Sequence, residues 1–273
     1  MRVSTALLIS SAFVGCHREA SVTFGRRVAP EQVEVSSTQR LSLQLMVGLG
    51  EDVEPQTHET STTLRARVER AGTDQVVRWL EHSGVTALEG RSFSVSGGTA
   101  TSIESGVALE REQAADTLAI AQGVAGPDAV QVALMKKPLS MTGSSPDLDA
   151  AFAQLAHRAL GDSAVVDNAT LRLESASETV VTFSASLDSV TNSGPVTMRT
   201  QLHGTLDVRR TDTLPLTLTL EGPVEVTSTP SDDEPRLSGK GTLSLSRRLV
   251  PLESADESTV VSASERLRAM LSE

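Results

Sequence analysis

The chain has few of the side chains that cross-link a fold or stack on a ligand. Among 273 residues there are one cysteine, one tryptophan, five phenylalanines and no tyrosine. A single cysteine excludes an internal disulfide, so a hydrophobic core must hold the protein together. The scarcity of rings argues against the aromatic platforms on which bases and sugars stack. We therefore expect a protein that neither relies on disulfides nor recognises its ligand by aromatic stacking.

Positive charge is also in deficit. The chain carries 24 basic and 35 acidic residues, which gives a net charge of −11 at neutral pH. An excess of negative charge repels nucleic acid and anionic membrane surfaces, and no basic stripe offsets it. The sequence therefore predicts that the protein has no nucleic-acid partner.

Catalytic and metal-binding motifs are absent as well. No Gly-x-Ser-x-Gly turn occurs for a serine nucleophile, and no two histidines lie one helical turn apart as in zinc proteases. The acidic run 232–234 lacks the alternating ligands and the glycine of a calcium loop. We therefore expect that the protein is not an enzyme and needs no metal or cofactor. The alternative of an enzyme whose active site has no recognisable motif stays open.

Among the features that are present, the N-terminus is the most informative. Arg2 is followed by the apolar run Val3–Val14. A membrane-spanning helix needs about 20 apolar residues. A run of this length after a positive charge is instead typical of the hydrophobic region of a signal peptide.

This run ends in Phe13-Val14-Gly15-Cys16, which resembles the lipobox of bacterial lipoproteins. In that family the cysteine receives a diacylglyceryl group on sulfur, the signal is cut before it, and the new amino group is acylated, for example with palmitate. The resemblance implies that residues 1–15 are removed, that Cys16 is the lipidation site, and that residues 16–32 form a flexible tether. His17 stands where the family's inner-membrane retention signal has aspartate, so the resemblance favours the outer membrane and a periplasmic or surface-facing body.

Two periodicities organise the rest of the chain. Apolar and polar residues alternate with the period of a strand in most of the chain from residue 33, which predicts long antiparallel strands with one apolar face. The clearest runs are 41–47, 60–68, 75–80, 92–96, 181–187, 196–208, 214–226 and 237–249.

The middle of the chain is helical in pattern. Residues 112–122 favour a helix, residues 128–135 are ambiguous, and residues 147–160 follow a capping serine and a proline at the first helical position. The acidic tail 253–273 contains a capping-box pattern for one more short helix. The apolar stripe of 147–160 must be buried, and the predicted sheet offers the surface for it.

These elements predict an α+β fold that is mostly antiparallel β. We expect a single domain over 33–252, with halves at about 33–140 and 141–252 that suggest an internal duplication. A long-stranded, curled sheet with two or three helices on one face is loosely similar to the half-barrels of periplasmic lipid and lipoprotein carriers, and to uncharacterised secreted lipoproteins.

The resulting hypothesis is a membrane-anchored envelope lipoprotein that binds an apolar small molecule or another envelope protein without catalysis. The alternative is a structural or accessory subunit of an envelope complex. Trp79, Phe152 and Phe183 are candidates to line a ligand groove, or else fill the core. The interior separates the two hypotheses, because a binder needs an open apolar groove whereas a subunit is expected to be fully packed.

Overall fold

The computed structural model describes residues 21–25, 30–49, 52–71, 74–125, 129–136, 138–140, 145–160, 163–229 and 236–252. Cys16, the predicted signal peptide and the acidic tail lie outside the described residues. The strands are β1 (Ser21–Val22), β2 (Gln32–Leu49), β3 (Asp52–Ala71), β4 (Asp74–His82), β5 (Ser92–Ser96), β6 (Thr99–Ser102), β7 (Leu139–Ser140), β8 (Ala164–Ala176), β9 (Val180–Ser193), β10 (Val196–Arg209), β11 (Pro215–Ser228) and β12 (Arg236–Leu252). The helices are α1 (Arg111–Ala125), α2 (Ala129–Lys136) and α3 (Pro146–Leu160).

Ten strands form one antiparallel sheet in the order β6-β5-β4-β3-β2-β12-β11-β10-β9-β8. Two meanders, β2 to β6 and β8 to β12, meet where the long strands β2 and β12 pair from Gln32↔Leu252 to Gly48↔Arg236. The sheet is curled and does not close in the described part of the chain. The predicted α+β, half-barrel-like fold is confirmed. The internal duplication stays a prediction.

Glycines on adjacent strands explain how such long strands can curl. A Cβ atom at Gly204 on β10 would collide with the carbonyl oxygen of Thr219 on β11, and one at Gly222 would collide with that of Gln201. Gly241 on β12 stands in the same relation to Ser42 on β2. Because glycine has no side chain, the backbones can approach and bend at these points. We call these three residues the glycine crease.

The helices divide the interior into two cores. Helix α1 packs on β3 to β6, whereas α3 packs on β8 and against α2. The α1 core contains buried side chains of α1 and of β2 to β5, among them Trp79. The α3 core contains those of α2, α3 and β8 to β12, among them Phe152 and Phe183. Helices were predicted at 112–122 and 147–160 and are found there, and residues 129–135 of the ambiguous segment 128–135 lie in helix α2.

The segment Ala114–Lys136 is long and apolar enough to cross a membrane by length and composition. It comprises most of α1 and all of α2, and side chains of both helices are buried in the protein, including Ala121 and Val130 at 0% exposure. Core helices of proteins in water can have the same composition, and the buried side chains of α1 and α2 belong to the two cores.

Part of the segment that is predicted to be a flexible tether contacts the body of the protein. Strand β1 pairs with β7 through Ser21↔Ser140 and Val22↔Leu139, and Val22 is buried. The Gly25 N–H donates to the Arg210 carbonyl at 2.8 Å. Residues 21–25 are therefore docked on the body. This contact was not predicted, because a two-residue strand has no periodicity to detect.

Candidate functional site

A cavity of about 590 Å³ lies between the concave face of the sheet, α1 and α3. Its floor comes from strands β2, β3, β11 and β12, one wall from α1 and the other from the C-terminal half of α3. The apolar lining is Pro30, Val33, Val35, Leu64, Ala115, Leu118, Ala119, Ile120, Val124, Leu155, Ala159, Leu160, Leu214, Pro215, Leu218 and Leu249. Small-molecule sites have volumes of roughly 300–1,000 Å³ and are mostly apolar, so this cavity is of suitable size.

The cavity exists because polar residues separate the two cores on the floor of the sheet. On β2, Val33 and Val35 belong to the α1 core and Leu43 to the α3 core, while Ser37 and Gln39 lie between them. Strand alternation places all five on one face. Neither core extends over the polar positions, and the helices that cover the cores leave a gap there.

The same interruption occurs on the neighbouring strands. On β12, Leu245 belongs to the α3 core and Leu249 to the α1 core, with Arg247 between them. On β3, Thr62 lies beside Leu64 at the edge of the α1 core. We call Ser37, Gln39, Thr62 and Arg247 the polar seam. All four line the cavity.

The cavity opens to solvent. Its lining includes side chains classed as exposed from the floor, from α1 and from α3: Gln39, Thr62, Ala115, Ala119, Gln122 and Arg158. A solute can therefore reach the apolar lining without unfolding of the protein.

Among the charged side chains that line the cavity in the described part of the chain, basic ones outnumber acidic ones, although the protein is acidic overall. Among the described residues that line it are Arg70, Arg158 and Arg247, against the single carboxylate of Asp116. Arg70 Nη2 donates to the Val124 carbonyl and so satisfies a backbone acceptor at the end of α1. Its Nε is buried and has no hydrogen-bond partner among the described residues. The cavity thus joins an apolar lining to a local excess of positive charge.

Arg247 reaches from the sheet to α1. A methyl group at Gly123 would collide with Nη2 of Arg247, so the guanidinium lies directly against the helix backbone. Glycine is a poor residue for the interior of a helix. Glycine at this position leaves the space that the Arg247 head group occupies.

His82 and Asp116 form a second polar contact at the cavity wall. His82 Nε2 lies 3.0 Å from Asp116 Oδ2, while Nδ1 accepts the backbone N–H groups of Gly84 and Val85 at 3.2 and 2.9 Å. The hydrogen must therefore be on Nε2, which donates it to the carboxylate. A general base needs a free lone pair, and both nitrogens of His82 are engaged. This pair is placed to hold α1 on β4.

A neighbouring contact has the same effect. The Trp79 indole N–H donates to Thr117 Oγ1 at 3.1 Å, and the Trp79 and His82 rings meet edge to face with centroids 4.8 Å apart.

Within the described residues, no group of three or more histidine, cysteine or acidic side chains could hold a metal ion.

The rings proposed from sequence lie in the cores. Trp79, Phe152 and Phe183 are fully buried, the first in the α1 core and the other two in the α3 core. They are not among the described residues that line the cavity. Their contact with a ligand stays a prediction, as does lipidation of Cys16. The seam residues were missed, although a charged Arg247 between Leu245 and Leu249 was a visible signal.

Comparisons with known proteins give no assignment. No family model matches the chain, and no curated protein does. Among solved structures, one titled "Lipid-protein interactions in lipovitellin" is similar at a TM-score of 0.38 and 9% identity, over 85% of this chain and 26% of that chain. DynF from the dynemicin biosynthesis pathway of Micromonospora chersina is similar at a TM-score of 0.24 and 5% identity, over 87% and 88%. At TM-scores this low, neither similarity supports a functional inference.

Proposed function

We propose that this protein is a membrane-anchored envelope lipoprotein that binds an apolar ligand in the cavity between α1 and α3. The observation that carries the proposal is the open, mostly apolar cavity at the point where the two cores part. A subunit with a purely structural role would gain stability by closing that gap with apolar side chains. The polar seam keeps it open instead.

The energetics of such binding are favourable. Each buried methylene contributes about 0.8 kcal/mol, so ten methylenes of an acyl chain would contribute on the order of 8 kcal/mol. Lost translational and rotational freedom offsets much of that gain. The remainder suits a ligand that is bound and later released.

The anchor is supported by the sequence alone. One acyl chain gives marginal membrane binding, whereas the two or more chains of a bacterial lipoprotein hold a protein stably at the bilayer. Cells labelled with a fatty-acid analogue should incorporate label into the wild type, and a Cys16→Ser variant should carry none. Label on that variant would show that the anchor is elsewhere. Proteolysis of intact cells and of spheroplasts would then assign the protein to the periplasm or the surface.

No catalytic step is assigned to the cavity. The titratable pair at its wall, His82 and Asp116, is committed to holding α1, since both imidazole nitrogens are engaged. This geometry supports a binding function over an enzymatic one.

The ligand site is tested by filling the cavity. Ala119 on α1 is exposed and lines the cavity, and Ala150 on α3 is exposed and does not. We expect the neutral dye Nile red to bind the wild type and Ala150→Phe alike, and to bind Ala119→Phe about tenfold more weakly. Equal binding to all three proteins would contradict the proposal.

A structural or accessory subunit is the second candidate, and one observation favours it. Strand β8 (Ala164–Ala176) ends the sheet and pairs in it with β9. A free edge can accept a strand of a partner protein. Cross-linking in cells from a photoreactive residue at exposed Val165 would capture such a partner, whereas a pure ligand carrier would give none.

A further inference from the structure

We infer that the ligand of this cavity is a single-chain anionic amphiphile, that is, an acyl chain ending in a carboxylate or phosphate, with its acidic group held by Arg247 and with Arg158 adding positive charge to the same cavity. The inference rests on the proposed function and adds the chemical class of the ligand.

The position of Arg247 carries the first step. In the sheet it pairs with Ser37 on β2 and Leu218 on β11, and it faces inward between Leu245 and Leu249. Removing a cation from bulk water is costly unless an anion or strong acceptors compensate. Arg247 is half-buried, has an interaction within the protein and lines the cavity, so its guanidinium is placed to meet a bound anion.

Gly123 carries the second step. Helix α1 has glycine where a Cβ atom would collide with the Arg247 guanidinium, although alanine favours a helix more. Glycine at position 123 therefore leaves space on α1 for the Arg247 head group, which lies at the cavity wall.

The charge balance gives the third step. The sole carboxylate among the described lining residues, that of Asp116, accepts the hydrogen of His82 Nε2. Arg158 adds positive charge from α3, on the wall opposite α1. A protein of net charge −11 has therefore gathered cations around one cavity. Such a field favours an anion over a neutral or cationic solute.

The apolar remainder of the lining gives the fourth step. Val33, Val35, Leu118, Ile120 and Leu155 offer a surface for hydrocarbon. Guanidinium groups bind carboxylates and phosphates through two parallel hydrogen bonds, which fixes the orientation of the acid. Hydrocarbon lining and a guanidinium head site together describe an acidic amphiphile.

Arg247 also has an interaction within the protein, so a structural role makes a different prediction. If the side chain only supports the cavity wall, its replacement should weaken the binding of every probe equally. If it recognises the acid, its replacement should weaken only the binding of anions. The head group of the probe separates the two roles.

The experiment uses the full chain with Cys16→Ser, which carries no acyl group that could occupy its own cavity. Palmitate, hexadecyl phosphate, hexadecanol and hexadecyltrimethylammonium share a chain length and differ in the head group. Each is titrated to displace Nile red. We expect the two anions to bind at least tenfold more tightly than the alcohol and the cation. The anion that binds more tightly identifies the preferred head group.

The variants test the residues. Arg247→Gln should lower the affinity for the preferred anion about tenfold, Arg158→Gln should lower it by a smaller factor, and both should leave the affinity for hexadecanol within twofold. The control Arg199→Gln, at an exposed site outside the cavity, should change neither. Gly123→Ala displaces the Arg247 head group without removing it and should also weaken anion binding selectively, which keeps the test valid if Arg247→Gln fails to fold.

Two results would overturn the inference, namely equal affinity for palmitate and hexadecanol, or equal loss for all probes in the arginine variants. Failure of the proposed function looks different, because no probe would then respond to Ala119→Phe.

Discussion

The imidazole of His82 on β4 donates a hydrogen bond to Asp116 on α1, with 3.0 Å between Nε2 and Oδ2. His82 is 3% exposed, whereas nearly half of the Asp116 side chain is exposed. The bond therefore runs from the packed α1 core to the solvent-facing rim of the cavity. Together with the Trp79–Thr117 bond it fixes the helix that forms one cavity wall.

Replacing His82 should loosen that wall. His82→Ala removes the bond to Asp116 and the Nδ1 acceptor of the Gly84 and Val85 N–H groups, although the Val85 N–H keeps the backbone carbonyl of residue 82 at 3.3 Å. We expect the free energy of unfolding to fall by about 1–3 kcal/mol, the range for buried groups that lose their hydrogen bonds. Urea unfolding followed by circular dichroism measures the change. His58→Ala on exposed β3 is the control, with an expected change within about 0.5 kcal/mol. Similar values for both variants would refute a role of His82 in holding α1 on β4.

Asp212 should contribute more to the free energy of unfolding than Glu225, the acidic partner in an exposed ion pair. Its side chain is 1% exposed, is paired with Arg209, and accepts the Leu214 N–H at 3.3 Å. Asp212→Asn keeps the volume and removes the charge, so we expect a loss of about 1.5–3 kcal/mol in unfolding free energy.

The matched control is Glu225→Gln, which breaks the pair with Lys240. Those side chains are 57% and 83% exposed. Exposed pairs contribute between about 0 and 1 kcal/mol, so thermal unfolding should barely change. A larger loss for Glu225→Gln than for Asp212→Asn would reverse this ranking.

The glycine crease should be intolerant of any side chain. In Gly222→Ala the new methyl group would collide with the Gln201 carbonyl, and β11 cannot move away freely because Gly222 pairs with Leu243 of β12 on its other side. Overpacking of this kind costs about 1–3 kcal/mol, occasionally more. A calorimetric scan should show a lower melting temperature for Gly222→Ala. Gly84→Ala, whose methyl group would make ordinary contact with His82, should melt close to the wild type.

Docking of the segment 21–25 should depend on Gly25. A methyl group there would collide with the Thr211 carbonyl, next to the bond from the Gly25 N–H to Arg210. We expect Gly25→Ala to release β1, and amide hydrogen exchange at Val22 to accelerate. Thr23→Ala should not, because the Arg210 guanidinium bonds to the backbone carbonyl of Thr23. Unchanged protection of Val22 in Gly25→Ala would count against docking through this contact.

The elements that could be predicted are those with a sustained period. The long strands and α3 bury one face along their whole length, so local alternation reports them. Helix α2 stayed ambiguous because Ala129–Lys136 is short and apolar on several sides. The cavity could not be predicted, because it depends on strand register. Ser37 and Arg247 are more than two hundred residues apart, and only the pairing of β2 with β12 brings them together.

The sequence by itself determined the class of the fold, since period-two alternation over long segments leaves an antiparallel sheet as the stable way to bury one face. Its single cysteine also excludes an internal disulfide, and its acidic residues set the net negative charge. The tertiary structure decided where the cores end, which arginines face inward, and that residues 21–25 are docked. Those features arise from contacts between residues distant in sequence, and such contacts leave no local period to detect.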